Sequence, residues 1–504
     1  MAIERVGSPG ITAGSSLVWG LGVALGLSAC SAGGSGTAPE RELDPPGSRV
    51  VQVPESMQGA APPVLDQPGD ALMADLIGDD VIGATLPPPI QRRGLLEKQV
   101  TCPNGGTTSV SGTVYIPSGQ LPLYNATVYV PDAALSPLTP GVSCNCEITG
   151  EPVATALTDA SGRFVLQNVP VGANIPLVVQ MGDWRREFNI GTVAGCTDNP
   201  VSDQTLRLPS NSSQGDIPRI AVATGRADAL ECLVRKLGLD DSEFTNERDG
   251  GRVTLFAGQG GTERFALSNR SPSFASAQAL WGNVESLSQY DVVLMSCDAD
   301  SDNMENKTGQ ALRAMSDYLD AGGRVFASHY QNVWFKQGPA ALRTVAEFDN
   351  QADLGDIVGQ VVTSFPKGAA LAQWLFNAGA SEEEGEVAIA AAQHSVVTEN
   401  PEFAQRWIAT EEPASVQYFS ANTPLGASDA DQCGRVVFSD IHLSEGRAGD
   451  DISDSNPKFD FPNGCVTSEF TPQEAVLAFM LFDLSACVVP DNVVPVAPPP
   501  VILR

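Results

Sequence analysis

The chain has 504 residues, 42% of them hydrophobic and 18% charged, which is enough for two or three packed domains. Its 60 acidic and 29 basic residues give a formal charge of -31. That charge repels nucleic-acid phosphates and anionic membrane surfaces, and so argues against nucleic acid as a partner.

The first informative stretch is "SLVWGLGVALGLSAC", residues 16 to 30. It is an apolar run of the length of an export-signal core, too short for a comfortable membrane span. Residues 1–29 are therefore expected to be a signal peptide. The terminal "LSAC" resembles the lipobox of bacterial lipoproteins, which implies that cleavage leaves Cys30 as the first residue, carrying lipid. Ser31 resembles the residue found in chains sent on to the outer membrane. The resemblance thus implies a chain exported and lipid-anchored to the cell envelope, with the membrane a partner through that anchor.

Residues 30–106 are rich in Gly, Ser and Pro ("SAGGSGTAPE", "ATLPPPIQRR") and read as a flexible linker. Residues 107–210 read as strands. "VSGTVYIP" (110 to 117) and "NATVYVP" (125 to 131) alternate β-branched or aromatic residues with small ones, and a turn between them predicts a hairpin. "TALTDASGRFVLQNVPVG" (155 to 172) adds an Asp-x-x-Gly turn between two further strands, and "IPLVVQMGDWRREFNI" (175 to 190) a hairpin with Trp184 and Arg185 at its turn. This region resembles the carboxypeptidase regulatory-like domain, a transthyretin-like all-β sandwich. In its namesakes the module accompanies a peptidase and cuts nothing, so the resemblance implies a fold and no chemistry.

Residues 217–487 alternate strands and helices: "RIAVAT", "ADALECLVRKLG", "VTLFAG", "YDVVLMSC", "TGQALRAMSDYLDAGG" and "RVFASHY". Ala311, Leu312, Met315 and Leu319 make one helical stripe, and Gly322 and Gly323 close it. Short apolar strands between amphipathic helices predict an α/β flavodoxin-like domain, a parallel sheet covered on both faces. The whole chain is thus expected to be multidomain, an all-β sandwich followed by an α/β domain, with a Pro-rich tail at 488–504 that has no assigned role. "YDVVLMSC" and "AGGRVFASHYQ" resemble the ThuA-like branch of the class I glutamine amidotransferase-like fold. True amidotransferases place a cysteine at the elbow where this chain has His329, so no catalytic triad carries over.

In an open parallel sheet, ligands settle beyond the carboxyl ends of the strands. The residues expected there are Thr224, Cys297, Asp298, His329 and His442, and they form the candidate ligand-binding edge. Cys297 sits at no glycine-framed elbow, which argues against a nucleophile. "DADSDNME" (298 to 305) spaces Asp298, Asp300 and Asp302 as a calcium loop does, but lacks its glycine and its bidentate glutamate. Three histidines and no Cys-x-x-Cys leave no recognisable metal set, so neither metal nor cofactor is expected. Cys433 and Cys465 bracket a long polar loop and are expected to bridge it. Two functions compete: a non-enzymatic envelope lipoprotein binding a glycan, peptide or protein partner, and a hydrolase or carbohydrate-modifying enzyme working at the strand-end edge. The missing elbow nucleophile favours the first.

Overall fold

The computed structural model describes residues 94–146, 148–247, 249–266, 273–298, 304, 307–443, 458–466 and 469–501. The signal peptide, Cys30 and residues 30–93 of the expected linker lie outside them, as do Asp300 and Asp302 of the calcium-like loop.

Eight strands open the described chain: β1 (Ser109–Tyr115), β2 (Thr127–Pro131), β3 (Pro152–Leu157), β4 (Arg163–Gln167), β5 (Pro176–Met181), β6 (Trp184–Asn189), β7 (Asp198–Pro200) and β8 (Leu206–Arg207). They form two four-stranded sheets. One runs β3-β2-β5-β6 and is antiparallel throughout; in the other, β1 pairs antiparallel with β4 and parallel with β7 and β8. The expected β1–β2 hairpin therefore does not form, because its two strands lie in different sheets, and so do β3 and β4. The physical reason is that a turn fixes only a change of direction. Asp159 accepts from Ser161 and Arg163 N–H, and Gly162 takes φ +70°, a geometry that crosses between sheets as well as it joins neighbours. Burial decides the pairing: Phe164 and Leu166 of β4 are buried between exposed neighbours, so this strand packs one face inward. The β5–β6 hairpin does form, but Trp184 and Arg185 open β6 instead of occupying the turn. The turn is Gly182, at φ +53°, where a Cβ would strike the carbonyl oxygen of Ser485.

The second half holds β9 (Ile220–Ala223), β10 (Phe244–Thr245), β11 (Val253–Ala257), β12 (Ala275–Ser276), β13 (Val292–Met295), β14 (Arg324–Ser328), β15 (Ala346–Phe348), β16 (Gly355–Val361), β17 (Glu386–Ala392), β18 (Val396–Glu399), β19 (Gln405–Glu411), β20 (Ala414–Thr423) and β21 (Gly434–Ser439). Eleven of these make one mixed sheet in the order β10-β11-β9-β13-β14-β21-β20-β19-β16-β17, with β12 beside β11. From β10 to β21 every pairing is parallel; from β21 onward every pairing is antiparallel. The wholly parallel sheet expected from the sequence is thus only half of what forms. β15 and β18 pair separately.

Two helices show how local sequence sets position. Gly309–Asp320 starts where the Thr308 hydroxyl accepts from Ala311 N–H, and ends before Gly322 at φ +105°. Pro472–Ser485 begins with a capping box between Thr471 and Glu474 and is apolar on every side, which demands burial on every side. It packs against β14, β17 and β21, while Tyr124 stacks on Phe479 at 5.6 Å and Trp184 meets Phe482 at 5.7 Å. One hydrophobic cluster therefore runs from the small sheets into the large one, and the described residues belong to a single compact unit.

Covalent and ionic links reinforce that union. The disulfides are Cys102–Cys196, Cys144–Cys433, Cys146–Cys487 and Cys232–Cys465. The expected Cys433–Cys465 bridge is therefore not made. The loop carrying Cys144 and Cys146 lies over the end of the helix Gly309–Asp320, with Val142 N–H bonded to Ser288 O, and it delivers Cys144 to Cys433. Closeness along the chain does not decide the partner. The segment 94–106 is packed, with Leu96 buried and Gln99 bonded to Val153 O and Asn168 O, so the expected linker does not reach 106. The Pro-rich tail also has a place. Val501 N–H donates to Pro152 O, and buried Asp491 joins Lys367, Arg435 and Asp483 in a knot with contacts of 2.8–3.2 Å. No helix among the described residues is long and apolar enough to cross a membrane.

Candidate functional site

Parallel pairing brings the carboxyl ends of β9, β13, β14 and β21 to one edge. Ala223 stands opposite Met295, Met295 opposite Ala327, and Ser328 opposite Ser439. The residues that follow these strands are those expected from the sequence, and three of them meet. The Sγ of Cys297 lies 3.5 Å from Nδ1 of His329, and the ring of His329 lies edge-on to that of His442 at 5.2 Å. One ligating atom from each of the three lies within 4.8 Å of the others.

His329 occupies the elbow itself. It leaves β14 with φ +39° and opens a short 3-10 turn, a left-handed backbone that costs a non-glycine residue about 1–3 kcal/mol. Tyr330 stacks on its ring at 3.8 Å. The three residues are buried: Cys297 is 0% exposed, His442 2% and His329 4%. Burial, with the neighbouring His442, holds the pKa of His329 well below its ordinary 6.5, and burial pushes that of His442 down to about 4. Both imidazoles are therefore neutral at pH 7. His442 is also underbonded, since neither ring nitrogen has a hydrogen-bond partner among the described residues.

Two other expected site residues serve different ends. Thr224 donates its hydroxyl to Thr262 O at 2.8 Å and accepts from Gly258 N–H, so it ties loops together. Asp298 is committed to Lys307, 2.5 Å away and buried, whose ammonium sits 5.5 Å from the Trp281 ring and 6.0 Å from that of Trp334.

A second layer went unnoticed in the sequence. Asp228, five residues beyond β9, accepts from Ser328 Oγ at 2.6 Å and from Leu443 N–H at 3.1 Å, and so pins the neighbours of both histidines. Gln331 holds Ser296 O, and Gln473 holds His442 O at 2.7 Å. Burial pushes the Asp228 carboxyl up to about 6 and that of nearby Glu231 up to about 8. The available signal was weak: two acids, Asp228 and Glu231, at the head of the helix Leu230–Lys236.

Chemically, the edge offers one thiol and two neutral imidazoles, of which His442 makes no hydrogen bond through either nitrogen among the described residues, and hydrogen bonds to neighbouring residues hold all three in place. No family model and no curated protein matches the chain. Among solved structures, the chain is similar to a ThuA-like protein from Bacteroides uniformis, at 11% identity over 52% of this chain and 90% of that one, with a TM-score of 0.27. It is also similar to a GMP synthase protein from Thermoplasma acidophilum, at 9% identity over 54% and 96%, with a TM-score of 0.30. A third similarity is to a type II cohesin–X-dockerin complex from Acetivibrio cellulolyticus, at 15% identity over 27% and 74%, with a TM-score of 0.14.

Proposed function

We propose that this chain is an exported lipoprotein of the cell envelope, anchored through Cys30 at the outer membrane, that binds a glycan, peptide or protein partner and turns over no substrate. In this reading the β part is a carboxypeptidase regulatory-like module, and the α/β part is a ThuA-like unit whose elbow carries His329 in place of a nucleophile. The observation that carries the proposal is the disulfide set. Eight cysteines are paired, and two of the four bridges join the small sheets' loop to the distant α/β part. Such bridges persist in oxidising compartments and are rare in the cytosol.

The distribution of open surface supports binding over turnover. Cys297, His329 and His442 are buried, whereas an open cleft of about 270 Å³ is lined by Phe403, Gln405, Asn422, Asp429 and Gln432 among others. An aromatic face beside amides and carboxylates suits a sugar, which presents C–H faces and hydroxyls together. The test is a glycan and peptide array probed with the mature, oxidised chain. The expected result is a ligand whose binding is lost in Phe403→Ala at unchanged thermal stability. Hydrolysis of arrayed substrates in place of retention would overturn the reading.

The competing reading, a hydrolase at the strand-end edge, is favoured by one observation, the 3.5 Å contact between Cys297 Sγ and His329 Nδ1, which is near the reach of a nucleophile and its base. It predicts turnover of activated esters that Cys297→Ser abolishes.

A further inference from the structure

We propose that Cys297, His329 and His442 together bind one thiophilic transition-metal ion, a site that stands independently of the binding role above. A tetrahedral ion at about 2.3 Å from a thiolate and about 2.0 Å from an imidazole nitrogen sets sulfur and nitrogen about 3.5 Å apart. Cys297 Sγ and His329 Nδ1 already stand 3.5 Å apart, and all three ligating atoms lie within 4.8 Å of one another. Small side-chain rotations close the remaining gap.

Three further features point to an ion in this place. His442 is 2% exposed, yet neither of its nitrogens has a hydrogen-bond partner among the described residues, a costly arrangement that a metal bond would relieve at the nitrogen bearing the lone pair. The elbow of His329 is held in a left-handed conformation that aims its ring at Cys297. Outer contacts fix the carriers: Asp228 to Ser328 and Leu443, Gln473 to the carbonyl of His442, and Gln331 to that of Ser296. Outer-shell bonds of this kind orient the ligands of metal sites.

The ligand chemistry narrows the occupant. One soft sulfur and two imidazoles suit Cu⁺ or Zn²⁺, whereas Mg²⁺ and Ca²⁺ need oxygen ligands. On binding, the Cys297 thiol gives its proton to solvent and its sulfur lone pair to the metal, so one proton is released per ion and nothing is oxidised or reduced. One thiolate and two neutral imidazoles carry a single negative charge. Cu⁺ would leave the buried site neutral, and Zn²⁺ would leave it one charge positive, with a fourth position for water.

The experiment titrates the purified, oxidised, full mature chain with Zn²⁺ against a chromophoric chelator and, in a separate arm under ascorbate, with Cu⁺ against a Cu⁺-specific chelator. One equivalent is expected in at least one arm, and the tighter arm identifies the ion. Cys297→Ser and His442→Phe should each weaken binding roughly 100-fold or more. Near-UV circular dichroism and retention of all four disulfides show that the variants are folded. X-ray absorption of the loaded chain should find one sulfur at about 2.3 Å and two nitrogens at about 2.0 Å. Folded variants that bind as tightly as the parent chain, or a metal shell without sulfur, would overturn the site, and so would failure of both ions to bind above the level of the Cys297→Ser, His442→Phe double variant. None of these outcomes bears on the array experiment.

Discussion

Two buried polar clusters in this molecule share depth and differ in completeness. Lys367, Arg435, Asp483 and Asp491 are all nearly inaccessible, and their charges cancel through four contacts of 2.8–3.2 Å. Ser420 adds a hydrogen bond to Asp491, and Trp407 one to Ser420. Burial alone would raise the pKa of Asp491, but Arg435 and Lys367 hold it below its ordinary value. The strand-end cluster is as deep and is left with unused lone pairs. Arg435 Nε also lacks a hydrogen-bond partner, but its guanidinium is held through its other two nitrogens by Asn422 and Asp491, whereas His442 is bonded at neither ring nitrogen and calls for a reason beyond the fold.

The sharpest way to break the comparison is to unbalance the first cluster. Asp491→Ala leaves Lys367 and Arg435 facing a single carboxylate in a dry setting, and should lower unfolding stability by about 3–5 kcal/mol in urea titration. A loss below about 1 kcal/mol would mean that the tail carrying Asp491 is not docked in solution. Next in size is the Cys144→Ser, Cys433→Ser pair. It removes a cross-link spanning 289 residues, which should cost roughly 2–4 kcal/mol given that the bridge at Cys146 and Cys487 still constrains the same loop. Unchanged stability would show that the packing around Phe479 alone joins the two parts.

How far these clusters were legible in the sequence follows from how each signal is written. The strands Val292–Met295 and Arg324–Ser328 and the helix Gly309–Asp320 are short local patterns, and they could be read directly. Their parallel order then placed Cys297, His329 and His442 near one edge. What could not be read was contact: whether the thiol meets the imidazole depends on the register of three strands distant along the chain. The antiparallel strands β16, β17, β19 and β20 escaped because β19, "QRWIATE", and β20, "ASVQYFSANT", mix polar and apolar residues without a regular alternation, although β20 is covered on both faces over most of its length. The ionic knot escaped for a plainer reason. Asp491 lies in a proline-rich tail whose composition suggests no partner, and its cations sit in two separate elements. Pairing of cysteines failed similarly, because Cys433 is nearer in sequence to Cys465 and nearer in space to Cys144.

Glu231 tests the strand-end side through pH. It is 1% exposed, one of its carboxylate oxygens has no hydrogen-bond partner among the described residues, and burial, aided by the charge of Asp228, raises its pKa from the ordinary 4.5 to about 8. The folded state therefore holds this proton more tightly than the unfolded state does. The associated stability is fully present below pH 4.5 and is lost as pH rises toward 8. Glu231→Gln removes that dependence, so the variant should gain on the parent across this window, by about 1.4 kcal/mol per pH unit at most. Equal stability of the two from pH 5 to pH 8 in denaturant titrations would show that the carboxyl is hydrated.

The smallest expected effect is the most telling. His442 is as buried as Arg435, so a rule that counts only burial predicts a large loss when either is replaced by an apolar side chain. Arg435→Met strips two carboxylates of their main cation and should cost about 3 kcal/mol or more. His442→Phe removes an imidazole whose nitrogens make no hydrogen bond within the described chain, and puts a ring of similar size in its place. Swapping an unsatisfied polar group for an apolar one of like shape is close to neutral, so the change should stay within about 1 kcal/mol. The measurement is urea unfolding of both variants without added metal, followed by the same experiment with Zn²⁺ in excess. The parent chain should gain stability with the ion, and His442→Phe should not. A loss above about 2 kcal/mol without metal would place His442 beside Arg435 as a structural residue and erase the distinction between the two clusters.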